Sequence, residues 1–283
     1  MSGSSSGTAL VLGGGGPVGG AWLTGVLAGL ADAGIDLDRA DVVIGTSAGA
    51  IFGSRLACGR PPRELYERQL AGDDRIDLDV TTTQTLRFLW AALGSRDPER
   101  SVQRLGRAAL AARTSPASEM YDAVRTLLCG ATDWPARALR IAAVDAVSGE
   151  VGTFDADTKA GLVDAVAASC AVPLVWPPVA LDGRRWIDGG SRSTANVQLA
   201  RGYGRVLAVV PIPNAVGPHP SAQQQAAELA AGGTAVSLLC PDRTDRRIMG
   251  RDMTANAHIP AAARAGYARA TALAAGVADV WHG

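Results

Sequence analysis

Val42-Val43-Ile44-Gly45-Thr46-Ser47-Ala48-Gly49 runs from three β-branched apolar residues, through a serine with glycine two places either side, into a helical pattern over about 48–58. A short continuous apolar run ending at glycine reads as a strand buried on both faces. The segment upstream has the same grammar. Ala9-Leu10-Val11-Leu12 is an apolar run that stops at Gly13-Gly14-Gly15-Gly16-Pro17-Val18-Gly19-Gly20. Beyond it Trp22, Val26, Leu27 and Leu30 recur at helical spacing over about 21–33, with Gly34 as a stop. Strand, glycine loop, helix, strand, tight turn and helix make an α/β fold with a mainly parallel sheet flanked by helices.

Outward from this core the alternation breaks over about 60–137, where helices are expected and strands are not. This helical insertion is either ordinary packing beside the sheet or a mobile cap. Alternation resumes with Leu139-Arg140-Ile141-Ala142-Ala143-Val144, a helix over about 158–169, a proline-rich crossing at 173–178, and a short strand ending at Ile187-Asp188. Residues 206–210 are the best later strand, 237–240 form another, and about 261–280 make an alanine-rich helix. Residues 1–8 are a Ser/Gly-rich disordered lead-in, and 9–283 one α/β domain.

Composition narrows the function. The chain has 283 residues, with 27 basic balanced by 27 acidic, so it has no polybasic footprint for nucleic acid. No apolar run reaches the roughly 18 residues that span a bilayer. The lead-in lacks the basic start of a secretory signal. Cys58, Cys129, Cys170 and Cys240 are far apart and have no metal-ligand spacing, as expected of buried, reduced thiols in a cytoplasmic protein. No segment specifies an oligomeric state.

Gly45-Thr46-Ser47-Ala48-Gly49 fits G-x-S-x-G between strand and helix, the context of a nucleophile elbow. Its bland alternative is a turn with a capping serine. Gly14, Gly15 and Gly16 end the neighbouring strand, so their backbone N–H groups can hold an oxyanion beside Ser47, where one lost donor costs about 3 kcal/mol. Gly14-x-Gly16-x-x-Gly19 also fits the dinucleotide fingerprint, but no acidic residue closes a second strand about 20 residues later. A serine nucleophile needs a base, and the chain has only three histidines. His282 is next to the last residue and His258 opens the last helix. Ser47, Asp188 and His219 follow the order of a Ser–Asp–His triad. Alternatively Asp188, in Ile187-Asp188-Gly189-Gly190, is the base itself if burial raises its pKa. Such a base should still work near pH 5, where imidazole is mostly protonated.

Together these residues resemble the patatin-like phospholipase family. The glycine loop before Gly25-Val26-Leu27 resembles its oxyanion segment, Gly45 to Gly49 its elbow, Ala168-Ser169-Cys170-Ala171-Val172-Pro173 its A-S-x-x-x-P segment, and Asp188-Gly189-Gly190 its D-G-G/A motif. The resemblance implies a three-layer fold, a Ser47–Asp188 dyad without cofactor, and hydrolysis of lipid acyl esters through an acyl-enzyme. The partner is then a lipid or acyl ester, and membrane contact is transient. Val18 stands where the family often has arginine, which weighs against a phospholipid more than against a hydrolase. Phe88, Leu89, Trp90, Val175 and Trp176 are candidate acyl-chain contacts. A histidine-dependent esterase and a non-catalytic lipid-binding module are the alternatives.

Overall fold

In the computed structural model, which describes residues 7–76 and 80–283, the chain opens with β1 (Thr8–Leu12), α1 (Gly16–Asp32), β2 (Val42–Thr46) and α2 (Ala48–Ala57). Four helices follow: α3 (Pro62–Ala71), α4 (Thr82–Leu93), α5 (Pro98–Leu110) and α6 (Ala117–Leu128). Next come β3 (Leu139–Asp145), β4 (Val151–Phe154), α7 (Leu162–Ser169), β5 (Val179–Leu181), β6 (Arg184–Asp188) and β7 (Arg205–Val209). The chain closes with α8 (Ala222–Ala231), β8 (Ala235–Leu239), α9 (Arg243–Met249) and α10 (Ile259–Trp281).

All eight strands form one sheet in the order β5-β6-β3-β2-β1-β7-β8, with β4 also paired to β3. The core, β3-β2-β1-β7-β8, is parallel, while β4, β5 and β6 add antiparallel pairings. Side chains of β1 alternate between layers. Leu10 and Leu12 pack with α1, α2, α7 and α10, whereas Ala9 and Val11 pack with Val197, Ala200 and α8. Burial on both faces is why these strands read as unbroken apolar runs. The result is the expected α/β sandwich of helix, sheet and helix.

From β1 the chain builds outward through β2 and β3, then returns to the other side of β1 with β7 and β8. Loops that leave the carboxyl ends of strands beside such a reversal leave a crevice between them. The glycine loop leaves β1 there and Ser47 leaves β2.

The insertion is helical, as expected, but its helices differ in burial. Met120, Val124 and Leu127 of α6 join the main core, and Val102 and Ala109 of α5 pack on Val144 and Ile187. In α4 only Ala91 and Ala92 are buried. Several elements differ from the sequence expectation. Helix α1 starts five residues early, at Gly16, because Pro17 occupies its first turn, where no N–H is needed. Strands β4 and β5, and helices α8 and α9, were not expected. β1 begins at Thr8, and the Gly7 carbonyl accepts N–H bonds from Gly204 and Arg205, so the expected lead-in does not reach these two residues. Residues 1–6, where the rest of that expectation falls, lie outside the described residues. All four cysteines are free, but Cys58 is exposed and Cys129, Cys170 and Cys240 are half-buried, rather than buried as expected. Among the described residues no helix is long and apolar enough to cross a membrane.

Candidate active site

Ser47 joins β2 to α2 with φ 52° and ψ −117°. A non-glycine residue held at positive φ costs on the order of 1–3 kcal/mol and needs support from its surroundings. The flanking glycines supply it by letting neighbours close in. A Cβ on Gly45 would stand 2.6 Å from the Ala50 Cα, and one on Gly49 would run into the Leu12 carbonyl. The turn is also tied from the side. The Ser47 N–H donates to Ser169 Oγ at 2.9 Å, and that hydroxyl donates to the Ala142 carbonyl at 2.6 Å.

Strand register brings Asp188 to the same level. Thr46 of β2 pairs with Ala142 of β3, and at the next position Ala143 pairs with Asp188 of β6. β2 and β6 lie along the same edge of β3, because β4 holds the other edge at both positions. The carboxyl ends of the two strands therefore meet there, and the Ser47 hydroxyl comes close enough to the Asp188 carboxylate to lower its pKa. Gly189 permits the approach, because a Cβ there would meet the Ala142 carbonyl at 2.6 Å. Asp188 is 5% exposed. Burial pushes its carboxyl up to about 6, against the opposing pull of the Ser47 hydroxyl and of the Gly190 N–H. The latter donates at 2.6 Å. Cys170 shares the site. Burial, then the Asp188 charge, raise its pKa well above the ordinary thiol range, so it is a neutral neighbour.

The glycine loop is arranged differently from the expectation in one respect. The Gly14 N–H donates to the Thr194 carbonyl at 2.8 Å and is engaged within the fold. Gly14 contributes absence of bulk instead: a Cβ there would lie 3.1 Å from the Ser47 Cβ. The Val18 and Gly19 N–H groups are likewise engaged, with Met253 and Gly15 carbonyls. Among the described residues the N–H groups of Gly15, Gly16 and Ala48 have no backbone acceptor, and they head α1 and α2. Helix N-termini with free N–H groups favour an anion.

Ser47 opens into a cavity of about 90 Å³. Its walls include Ile51 and Phe52 of α2, Met120, Val124 and Leu127 of α6, and Trp176. Of the expected acyl contacts, Trp176 lies on this wall, whereas Phe88, Leu89, Trp90 and Val175 do not. Leu89 and Trp90 lie on a separate groove along α4, because that helix turns its large apolar residues outward. Besides Ser47, the wall carries Gln69 and Asp74, which are held in a polar cluster. Asp74 accepts from Arg55 at 2.8 Å, from Gln69 at 2.8 Å and from Arg68 Nε at 2.9 Å. Arg55, on α2 itself, is wholly buried.

The histidines are elsewhere. Both ring nitrogens of His219 are buried without a hydrogen-bond partner, so neither touches Ser47 or Asp188. Burial, then the Arg192 charge, lower its pKa. His258 bonds the Ile248 carbonyl and His282 meets Arg39 at the surface. Residues not anticipated from sequence brace the pair. Asn196 donates to Thr46 Oγ1 at 3.0 Å and to the Gly189 carbonyl at 3.4 Å, linking the elbow strand to the aspartate loop. Ser193 Oγ in turn accepts from the Asn196 N–H and from Gln225. No local pattern marks these residues. Arg55, by contrast, interrupts an apolar helical segment, a detectable sign of a buried charge partner.

Residues 10–201 match the family described as patatin-like phospholipase, more than half of the chain. The chain belongs to the patatin-like phospholipase family. Membership supports lipid acyl hydrolase activity. Among solved structures, VipD from Legionella pneumophila is similar over 96% of this chain and 67% of its own, with 12% identity and a TM-score of 0.47. The type III effector ExoU is similar over 95% of this chain and 53% of its own, at 18% identity and a TM-score of 0.42. In the ExoU–SpcU complex from Pseudomonas aeruginosa the coverage is 95% and 51%, the identity 18% and the TM-score 0.40. This patatin-like chain thus spans about two-thirds of VipD and about half of ExoU. No curated protein matches it. Val18 is fully buried in the main core.

Proposed function

We propose that the chain is a serine acyl hydrolase with a Ser47–Asp188 dyad that cleaves lipid acyl esters through an acyl-enzyme. The observation that carries this reading is the buried Asp188 carboxylate at the end of β6, set beside a strained Ser47 that opens into an apolar cavity. With its pKa near 6, ionised Asp188 is a competent base at neutral pH. It takes the Ser47 proton as Oγ attacks the ester carbonyl. The N–H groups of Gly15, Gly16 and Ala48 hold the oxyanion, a role worth about 3 kcal/mol per donor. Protonated Asp188 then gives its proton to the departing alcohol. A water attacks the acyl-enzyme as Asp188 takes its proton; the Ser47 Oγ–acyl bond then breaks, Asp188 returns the proton to Ser47 Oγ, and the fatty acid leaves. The acyl chain lies against Ile51, Phe52, Met120 and Val124.

The unpartnered ring of His219 supports the dyad over the triad. Acyl esters of graded chain length, assayed with Ser47→Ala as blank, test the proposal. Turnover with stoichiometric fluorophosphonate labelling at Ser47 is expected. A folded protein that neither turns over esters nor labels is a binding module.

A further inference from the structure

Helix α4 turns its large apolar residues to solvent. Leu86 is 61% exposed, Trp90 73% and Leu93 62%, and with Leu89 they line one shallow groove along the helix. Single exposed apolar residues are ordinary, but a contiguous face on one helix marks a surface that is covered by something. Its surroundings are cationic. Between residues 80 and 113 there are six arginines against two acids, in a chain with 27 charges of each sign. Arg87, Arg96, Arg100, Arg107 and Arg113 are exposed, and none of the six pairs with a carboxylate among the described residues. Arg104 stacks on Trp90 at 4.8 Å, joining the charge to the apolar face.

The face also adjoins the substrate cavity. Gln84, in the first turn of α4, donates to the Leu174 carbonyl at 2.9 Å, and Leu174 lies between cavity residues Val172 and Trp176. An exposed apolar stripe with tryptophan, edged by arginine, is the composition of a helix lying in the headgroup region of a bilayer. Arginines near an anionic leaflet strengthen such binding.

We infer that α4 docks this chain on an anionic phospholipid surface and sets the mouth of the Ser47 cavity against it. The choice of a lipid surface over a protein rests on the proposed lipid hydrolase activity. The charge and the cavity contact support it independently.

The experiment uses the full chain carrying Ser47→Ala, so that binding is read without hydrolysis. It is sedimented with phosphatidylcholine vesicles, with and without phosphatidylserine. The expected result is pelleting that favours the phosphatidylserine vesicles, with a blue shift of tryptophan emission that Trp90→Phe removes. Leu86→Ser combined with Leu93→Ser should weaken vesicle binding by at least about tenfold. Arg87→Glu combined with Arg100→Glu should abolish the preference for phosphatidylserine. The same substitutions with Ser47 intact should leave hydrolysis of a dissolved short-chain ester unchanged, which also verifies folding, while hydrolysis of vesicle lipid falls in step with binding. Vesicle binding that ignores both double variants overturns the inference. So does a dimer in vesicle-free solution that the leucine variant dissolves, since the face then belongs to a second copy. If docking behaves as expected but no ester is ever cleaved, the hydrolase proposal fails and the docking face stands.

Discussion

The carboxyl ends of β2 and β6 and the outer face of α4 are opposite kinds of structure in one chain. Around Ser47 and Asp188 nearly every polar group has a named partner: Ser169 takes the Ser47 N–H, Asn196 bridges Thr46 to Gly189, and Ser193 and Gln225 hold Asn196. Backbone strain at Ser47 survives because these contacts and the flanking glycines over-determine the turn. On α4 the reverse holds, with Leu86, Trp90 and Leu93 facing water. A site that performs chemistry has to be held by its own fold before substrate arrives. A surface that meets a partner leaves its apolar area unpaired until it does.

That contrast can be broken most forcefully at the site. Ser47→Ala or Asp188→Asn should each lower ester turnover by about ten-thousandfold, as losses within a catalytic unit do. Asp188→Asn should also stabilise the protein at high pH. The folded-state pKa of Asp188, about 6, lies above the ordinary 3.8, so its contribution is favourable below pH 4 and is lost as pH rises through 6. Denaturation at pH 8 should find the Asn variant more stable by about 2–3 kcal/mol, and at pH 3 no difference.

Next in size is the wall of the cavity. Asp74→Ala leaves the wholly buried Arg55 without its carboxylate and should destabilise the fold by about 3–5 kcal/mol, seen as a large drop in denaturation midpoint. Ser169→Ala removes the acceptor of the Ser47 N–H and the donor to Ala142. It should cost about 1–3 kcal/mol in stability and reduce kcat more than it changes KM. The smallest effect belongs to α4, where Leu86→Ser should alter stability by no more than about 0.5 kcal/mol. A loss as large as that of Ser169→Ala would mean that α4 is packed, and would remove the distinction between the two regions.

The parts legible in the sequence were those with a local physical cause. β1, β2 and β7 announce themselves because burial on two faces demands unbroken apolar runs, and the elbow shows because its crossing with β1 tolerates only glycine at Gly49. β4 is four residues long and half-buried, and β5 has three, too short for any period to register. Helix α8 has a capping box of Ser221 and Gln224, a signal that was present but followed by glutamine and alanine rather than an apolar stripe. At the site, Ser47 and Asp188 were readable from their glycine contexts. The engagement of the Gly14 N–H depends on Thr194, far along the chain, and no local pattern encodes it. The same holds for Asn196, whose partner Thr46 is 150 residues away in sequence.

Burial of Asp188 also changes what a pH profile tells. An aspartate with an ordinary pKa would keep working near pH 5, but one pushed up to about 6 is mostly protonated there, as an imidazole is. The acid limb alone therefore does not separate the two bases; combining it with substitution does. The most direct test is the rate of fluorophosphonate labelling at Ser47 across pH, in the parent chain, Asp188→Asn and His219→Ala. The account predicts a rate that rises through a single ionisation near pH 6, is unchanged in His219→Ala and is abolished in Asp188→Asn. Loss of labelling in a folded His219→Ala, or parental labelling in Asp188→Asn, would contradict it.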